Sequence, residues 1–112
     1  MPSNVEFGAL IGVIVGIEGE LKGEIFKVGE GDNRLGRAQN CDIQLLDPKV
    51  SREHAMIIFE DGVIMVLPLN DKNPIYLNDE MVDEGDQLSD GDKLRFGNVG
   101  ASVFRFRTIE GL

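Results

Sequence analysis

Apolar residues along this chain fall into short runs, most of them alternating with polar ones, and the runs stop at glycine, asparagine or aspartate. Alternation with a period of two marks a half-buried strand. No stretch carries the 3.6-residue apolar period, cap and stop of a helix. The first run, Ala9 to Ile17, is rich in Ile and Val and reads as a strand. Glu18 to Gly23 is its hairpin turn, and Glu24 to Val28 is the returning partner. Gly29 to Asn33 reads as a second turn and Arg34 to Arg37 as a short strand. Ile43 to Leu46 and His54 to Glu60 read as buried strands. Asp61-Gly62 is a strong two-residue hairpin signal leading into Val63 to Leu69. Ile75 to Asn78, a tight turn at Asp79-Glu80, and Met81-Val82 come next. Lys93 to Phe96 alternates, and Ser102 to Ile109 closes the chain with Val103, Phe104 and Phe106. About eleven short strands spaced by glycine and aspartate turns predict an all-β fold. The expected form is a two-sheet β-sandwich, mostly antiparallel, with almost no helix.

Composition narrows the class. At 112 residues the chain is sized for one domain with a real core. Hydrophobic residues at 42% and charged ones at 28% fit a folded globular chain rather than a disordered one. The longest apolar run, Ala9 to Ile17, is broken by Gly12 and Gly16. It falls well short of the ~20 residues of a membrane helix. No basic stretch precedes it, as a signal peptide would require. Cys41 is alone, which excludes an internal disulfide and a cysteine-clustered zinc site, and fits a reducing, cytoplasmic setting. No cofactor or metal is expected. Residues 1–8 read as a loose lead-in and residues 9–109 as one sandwich. Met1 and the compact length read as a stand-alone domain, expected to be monomeric.

Net charge is −9, from 11 basic and 20 acidic side chains. Such a surface repels nucleic acid and anionic membranes in general. The distribution is uneven. Arg34, Arg37, Lys49 and Arg52 lie between residues 34 and 54 against Asp42, Asp47 and Glu53. Between Glu60 and Asp92 there are ten acidic residues and Lys72 alone, which reads as a solvated face with turn-forming aspartates. A small basic patch on an acidic molecule turns large polyanions away and admits one phosphate on a short flexible segment.

The stretch Leu35 to His54 carries the chemistry. One short strand, Ile43 to Leu46, separates a loop opened by Gly36-Arg37 from a loop holding Ser51-Arg52. Guanidinium groups offer planar forks of donors that match phosphate oxygens, and a serine adds a short neutral donor. This is equipment for gripping a tetrahedral anion. Bland readings stand beside it: surface salt bridges from Arg37 or Arg52 to Asp47 or Glu53, and a turn-capping hydroxyl at Ser51. A hydrolytic triad of Ser51, His54 and Asp47 is another reading of the same residues. Residue 54 need not face the serine, and no G-x-S-x-G motif is present.

These residues resemble the forkhead-associated (FHA) domain family. The resemblance rests on Leu35-Gly36-Arg37, Val50-Ser51-Arg52-Glu53-His54-Ala55, Asn73, Tyr76-Leu77-Asn78 and Leu88 to Gly97, in this order and spacing. It extends over roughly residues 9 to 108. It implies a β-sandwich whose loops at one end bind phosphothreonine peptides, with a threonine-phosphorylated protein as partner and no catalysis. By the resemblance, Arg37 contacts the phosphate, Ser51 donates its hydroxyl to a phosphate oxygen, and Arg52 adds a second charge. Asn73 would hydrogen-bond the peptide main chain just beyond the phosphothreonine. His54 would support the Ser51 loop without touching ligand, Gly36 would permit the turn that aims Arg37, and Asn78 would hold its own loop. The chain departs from the family pattern around Asn73, where Lys72 precedes it and Pro74-Ile75 follow in place of Gly-Thr. Lys72 is expected to add a charge on the phosphate. Pro74 fixes φ and deletes an N–H, which leaves the path of this loop open. It also keeps a second reading open, a phosphate-independent interaction scaffold on the same sandwich.

Overall fold

The computed structural model describes residues 9–112; the expected lead-in over residues 1–8 lies outside the described residues. Among the described residues eleven strands form two sheets. They are β1 (Leu10–Glu18), β2 (Ile25–Gly29), β3 (Gly31–Gly36), β4 (Ile43–Gln44), β5 (Ala55–Glu60), β6 (Val63–Pro68), β7 (Ile75–Leu77), β8 (Glu80–Met81), β9 (Asp86–Gln87), β10 (Lys93–Phe96) and β11 (Val103–Thr108). A single 3-10 turn, Ile109–Gly111, follows, capped by Thr108, whose hydroxyl accepts from the Gly111 N–H at 3.1 Å. One sheet runs β2-β1-β11-β10-β7-β8 and the other β4-β3-β5-β6-β9. Every pair is antiparallel except β3–β4. The expected all-β sandwich is the observed one.

The core lies between the sheets. The six-stranded sheet contributes Ile14, Val28, Ile75, Leu94, Phe96, Phe104 and Phe106, and the five-stranded sheet Leu35, Ala55, Ile57 and Val66, all fully buried. Phe104 is the hub, with Phe96 at 5.8 Å and Phe26 at 6.1 Å between ring centroids. Burial of this set is the main force closing the sandwich.

Several boundaries differ from the sequence reading, each for a physical reason. The chain turns through Glu30 alone, and β3 already runs at Asn33. Asn33 is a buried clamp rather than a turn residue. Its side chain accepts from the Gly29 N–H at 3.0 Å and donates to the carbonyls of Gly29 at 2.8 Å and Ile57 at 3.0 Å. The strand expected over Ile43 to Leu46 stops at Gln44, where it pairs with β3 in parallel, and Leu46 is 63% exposed. The turn placed at Asp79-Glu80 is centred on Asn78 and Asp79, with φ of 51° and 72°. Positive φ at both central residues is the hairpin-closing geometry that Asn and Asp tolerate. β9 was not anticipated: Asp86 and Gln87 are both exposed and give no apolar signal. The Asp61-Gly62 hairpin is where it was expected, with φ of 54° and 78°.

Candidate functional site

β3 delivers Arg37 directly after Gly36, and β4 leads through Leu45 to the Asp47–Ser51 turn. Backbone bonds lace the two segments together. Arg37 N–H donates to the Ser51 carbonyl at 2.9 Å and Ala38 N–H to the Arg52 carbonyl at 3.0 Å. The Cys41 thiol, whose pKa burial pushes up, donates to the same Arg52 carbonyl at 3.3 Å. Gly36 is needed because the other chain passes directly over it: a Cβ there would lie 2.2 Å from the Arg52 carbonyl oxygen. That is the reason for this glycine; it has no positive φ, so a special turn conformation is not.

Asp47 anchors the serine loop from beneath. Its buried carboxylate accepts from Lys49 N–H at 2.9 Å and from Ser102 N–H at 2.9 Å, tying the loop to the start of β11. Burial pushes this carboxyl up, but the donors of Lys49 and Ser102 outweigh it and hold the pKa below the usual 3.8. His54 is fully buried and edge-on to Phe96 at 5.8 Å. Its Nδ1 accepts from the Ser51 N–H at 3.0 Å, and its Nε2 lies 3.0 Å from the Pro74 carbonyl. An acceptor at Nδ1 requires the proton on Nε2, so the ring is a neutral tautomer bonded at both ends. Burial keeps its pKa below the ordinary 6.5 despite the Pro74 contact.

Above these supports lies an open groove of about 490 Å³. Arg37, Ser51, Arg52 and Asn73 line it, as does Lys49. Arg37 Nε donates to the Val50 carbonyl at 3.0 Å, which fixes the guanidinium plane and leaves both Nη groups without a partner among the described residues. No carboxylate lies within 4.0 Å of the Arg37, Lys49 or Arg52 charge among the described residues; Glu53 is taken by Arg34 at 2.6 Å. Asn73 Nδ2 donates to Ser51 Oγ. That contact occupies an acceptor position of the hydroxyl and leaves its proton free to donate. Residues bearing two guanidinium groups, an ammonium and a hydroxyl therefore line one solvent-open space, a set that can hold a tetrahedral dianion.

Not every expected residue arrives there. Lys72 does not line the groove; it sits on the exposed Asn70–Asn73 turn, where its N–H donates to Asn70 Oδ1 at 3.0 Å. Asn78 holds its own loop, accepting from Lys93 N–H at 2.9 Å and donating to Asp92 at 3.0 Å, and takes no part in the groove. The Ser51, His54 and Asp47 set forms no relay, because His54 meets the serine's backbone N–H and Asp47 is bonded to Lys49 and Ser102. In the third loop the Pro74 carbonyl faces His54, and Ile75 is buried in β7.

Four contributors are not singled out by the sequence. Lys49 was counted among the cations but not as a wall of the site. Its side chain lies against Gly100. Asn98 and Val99 close the groove from the β10–β11 loop. They are uncharged and distant in sequence, and nothing in their local pattern marks them. Asn70 carries the third loop, accepting from the N–H groups of Lys72 and Asn73 at 3.0 Å each and donating to the Glu53 carbonyl at 2.7 Å.

The FHA domain family model matches residues 33–97. The chain is 37% identical over 76 residues to the FHA domain-containing protein FhaA of Mycobacterium tuberculosis, covering 68% of this chain and 14% of that protein. It is 35% identical over 75 residues to the glycogen accumulation regulator GarA of Mycolicibacterium smegmatis, covering 67% of this chain and 47% of that protein. The match thus spans less than half of either relative. Among solved structures, one studied for phosphothreonine-dependent FHA domain interactions superposes with a TM-score of 0.74 at 31% identity, over 87% of this chain and 95% of that one. By fold, loop sequence and relatives, the chain belongs to the FHA domain family.

Proposed function

We propose that this domain binds protein segments carrying phosphothreonine, through the groove between the Arg37, Ser51 and Asn73 loops, and performs no chemistry on them. The observation that carries the reading is the convergence of Arg37, Lys49, Arg52 and the Ser51 hydroxyl on one open space without a neutralising carboxylate among the described residues. A phosphothreonine brings about −1.5 to −2 charges and strong acceptor oxygens to that space. Each charge-assisted hydrogen bond contributes roughly 1.5–3 kcal/mol. An unphosphorylated threonine brings no charge and leaves the guanidinium groups unpaired. In this reading Arg37 and Ser51 grip the phosphate, Arg52 and Lys49 add charge, and Asn73 exchanges its contact with Ser51 for the peptide main chain.

The phosphate-independent scaffold rested on Pro74-Ile75; the intact His54–Pro74 contact supports the phosphate-dependent reading instead. Action as a monomer, in the cytoplasm, on a protein and not on nucleic acid or membrane belongs to the same proposal. Among the described residues no helix is long and apolar enough to cross a membrane. The test is calorimetric titration of a threonine-phosphorylated peptide and its unphosphorylated twin. Arg37→Ala is expected to weaken the phosphopeptide about tenfold to a hundredfold, the equivalent of one or two such bonds. Equal affinity of the two peptides, or of wild type and Arg37→Ala, would refute the proposal.

A further inference from the structure

β5 and β6 are apolar on both faces, a pattern expected of strands covered on both sides. Among the described residues only one of their faces is covered. Ala55, Ile57 and Val66 point into the core, with Phe59 and Ile64 packed against it. Alternation therefore turns Met56, Ile58, Met65 and Leu67 outward, and all four are partly open to solvent. The register makes them contiguous, with Met56 opposite Leu67 and Ile58 opposite Met65. Val63, 41% exposed, extends the block on its far side.

The other outer face of the sandwich shows that this is not the default here. On β11 the outward positions are Arg105 and Arg107, alternating with buried Phe104 and Phe106. The outward valines of the neighbouring β1 are interleaved with that charge, Val13 lying between Arg107 and Lys27 and Val15 between Arg105 and Ile25. No charged side chain is set within the β5–β6 block, and thioether side chains adapt readily to a docking partner's shape.

The rim of the block decides what fits it. Asp32 lies opposite Ile58 in the register, and Glu60 opposite Val63. Arg34, opposite Met56, is neutralised by Glu53 at 2.6 Å. The edge is thus net acidic, on a chain of net charge −9. A second copy docking by the same face would set carboxylates against carboxylates. A partner with basic flanks would meet complementary charge. We infer that the outer face of β5 and β6 is a second docking surface, separate from the phosphate groove, for a protein segment with an apolar centre and lysine or arginine flanks.

Methionine methyl NMR tests this directly, because Met56 and Met65 sit on the face while Met81 lies on β8 of the other sheet. The probe is a short peptide alternating leucine and lysine, with a leucine–glutamate peptide as its control. Binding of the lysine peptide is expected to shift the Met56 and Met65 methyl signals and leave Met81 in place. Ile58→Lys is expected to weaken it more than tenfold while phosphopeptide binding stays unchanged, and Ile58→Thr, better suited to a strand, serves if the lysine variant fails to fold. Arg37→Ala is expected to leave the lysine peptide's affinity unaltered. Absence of shifts at Met56 and Met65, equal shifts from the glutamate peptide, or the same shifts on simple concentration of the protein would overturn the inference, the last by pointing to a second copy as occupant.

Discussion

His54 touches no part of the groove surface, yet both of its flanking loops hang on that ring. One nitrogen holds the backbone of Ser51 and the other the carbonyl before Ile75. Replacing it with alanine strands a half-buried N–H and a half-buried carbonyl and removes a fully buried ring, so a loss of about 2–4 kcal/mol of stability is expected, with weaker phosphopeptide binding although no ligand contact is removed. Protonation acts in the same direction. The folded ring is held neutral below its ordinary pKa of 6.5, whereas the unfolded chain protonates it at that value. The unfolded state therefore binds more protons across this window, and the stability gained from His54 is complete above pH 6.5 and drains away as pH falls below it. Urea unfolding at a series of pH values is expected to show this limb in wild type. His54→Asn, which keeps an acceptor for Ser51 but does not titrate, is expected to lack it. Asp47, with its depressed carboxyl, adds a separate loss at lower pH, present above the ordinary 3.8 and lost as pH falls through its folded value. Arg37, Ser51 and Arg52 were legible in the sequence because the chemistry is compressed into one stretch. Lys72 does not line the groove, since charge next to Asn73 says nothing of which way a turn faces, and Asn98 and Val99 carry no chemical mark at all.

At the scale of elements, the site depends on two segments running close enough to exchange backbone bonds. Gly36 is where they touch, and a methyl group there would lie 2.2 Å from the Arg52 carbonyl oxygen. Backbone cannot yield as a flexible side chain can, so Gly36→Ala is expected to cost about 3 kcal/mol or more and to open the groove. Chemical unfolding gives the first number, and peptide titration the second. Most strands could be read from period-two alternation and hairpin turns. The failures have two physical sources. Where a strand is short and takes its pairing from an edge, side-chain pattern carries no information: Asp86-Gln87 pairs with β6 through its backbone alone. Asn33 carries a turn former's signal, yet it lies in β3, where the tight turn at Glu30 brings Gly29 within reach of its buried amide.

Over the whole molecule, a cluster of three cations sits on a body of net charge −9. The long-range field repels an acidic peptide while the local field attracts its phosphate. The Debye length is about 10 Å at 0.1 M salt and about 3 Å at 1 M, so salt removes the first effect before the second. Phosphopeptides with lysine flanks are expected to associate faster at low salt than the same peptides with glutamate flanks, and the gap to close as salt rises. Stopped-flow association rates measure this, and flank-independent rates at low salt would contradict it.

Thr108, the cap of the 3-10 turn, has a bearing on where a ligand can originate. It is the only threonine in the sequence, and it stands at the end of β11 remote from Ser102 and the groove. Its N–H is bonded to Asp90 at 2.9 Å, so a phosphoryl group placed there would confront a carboxylate. On the proposed reading, the phosphothreonine is therefore expected from a segment outside these 112 residues.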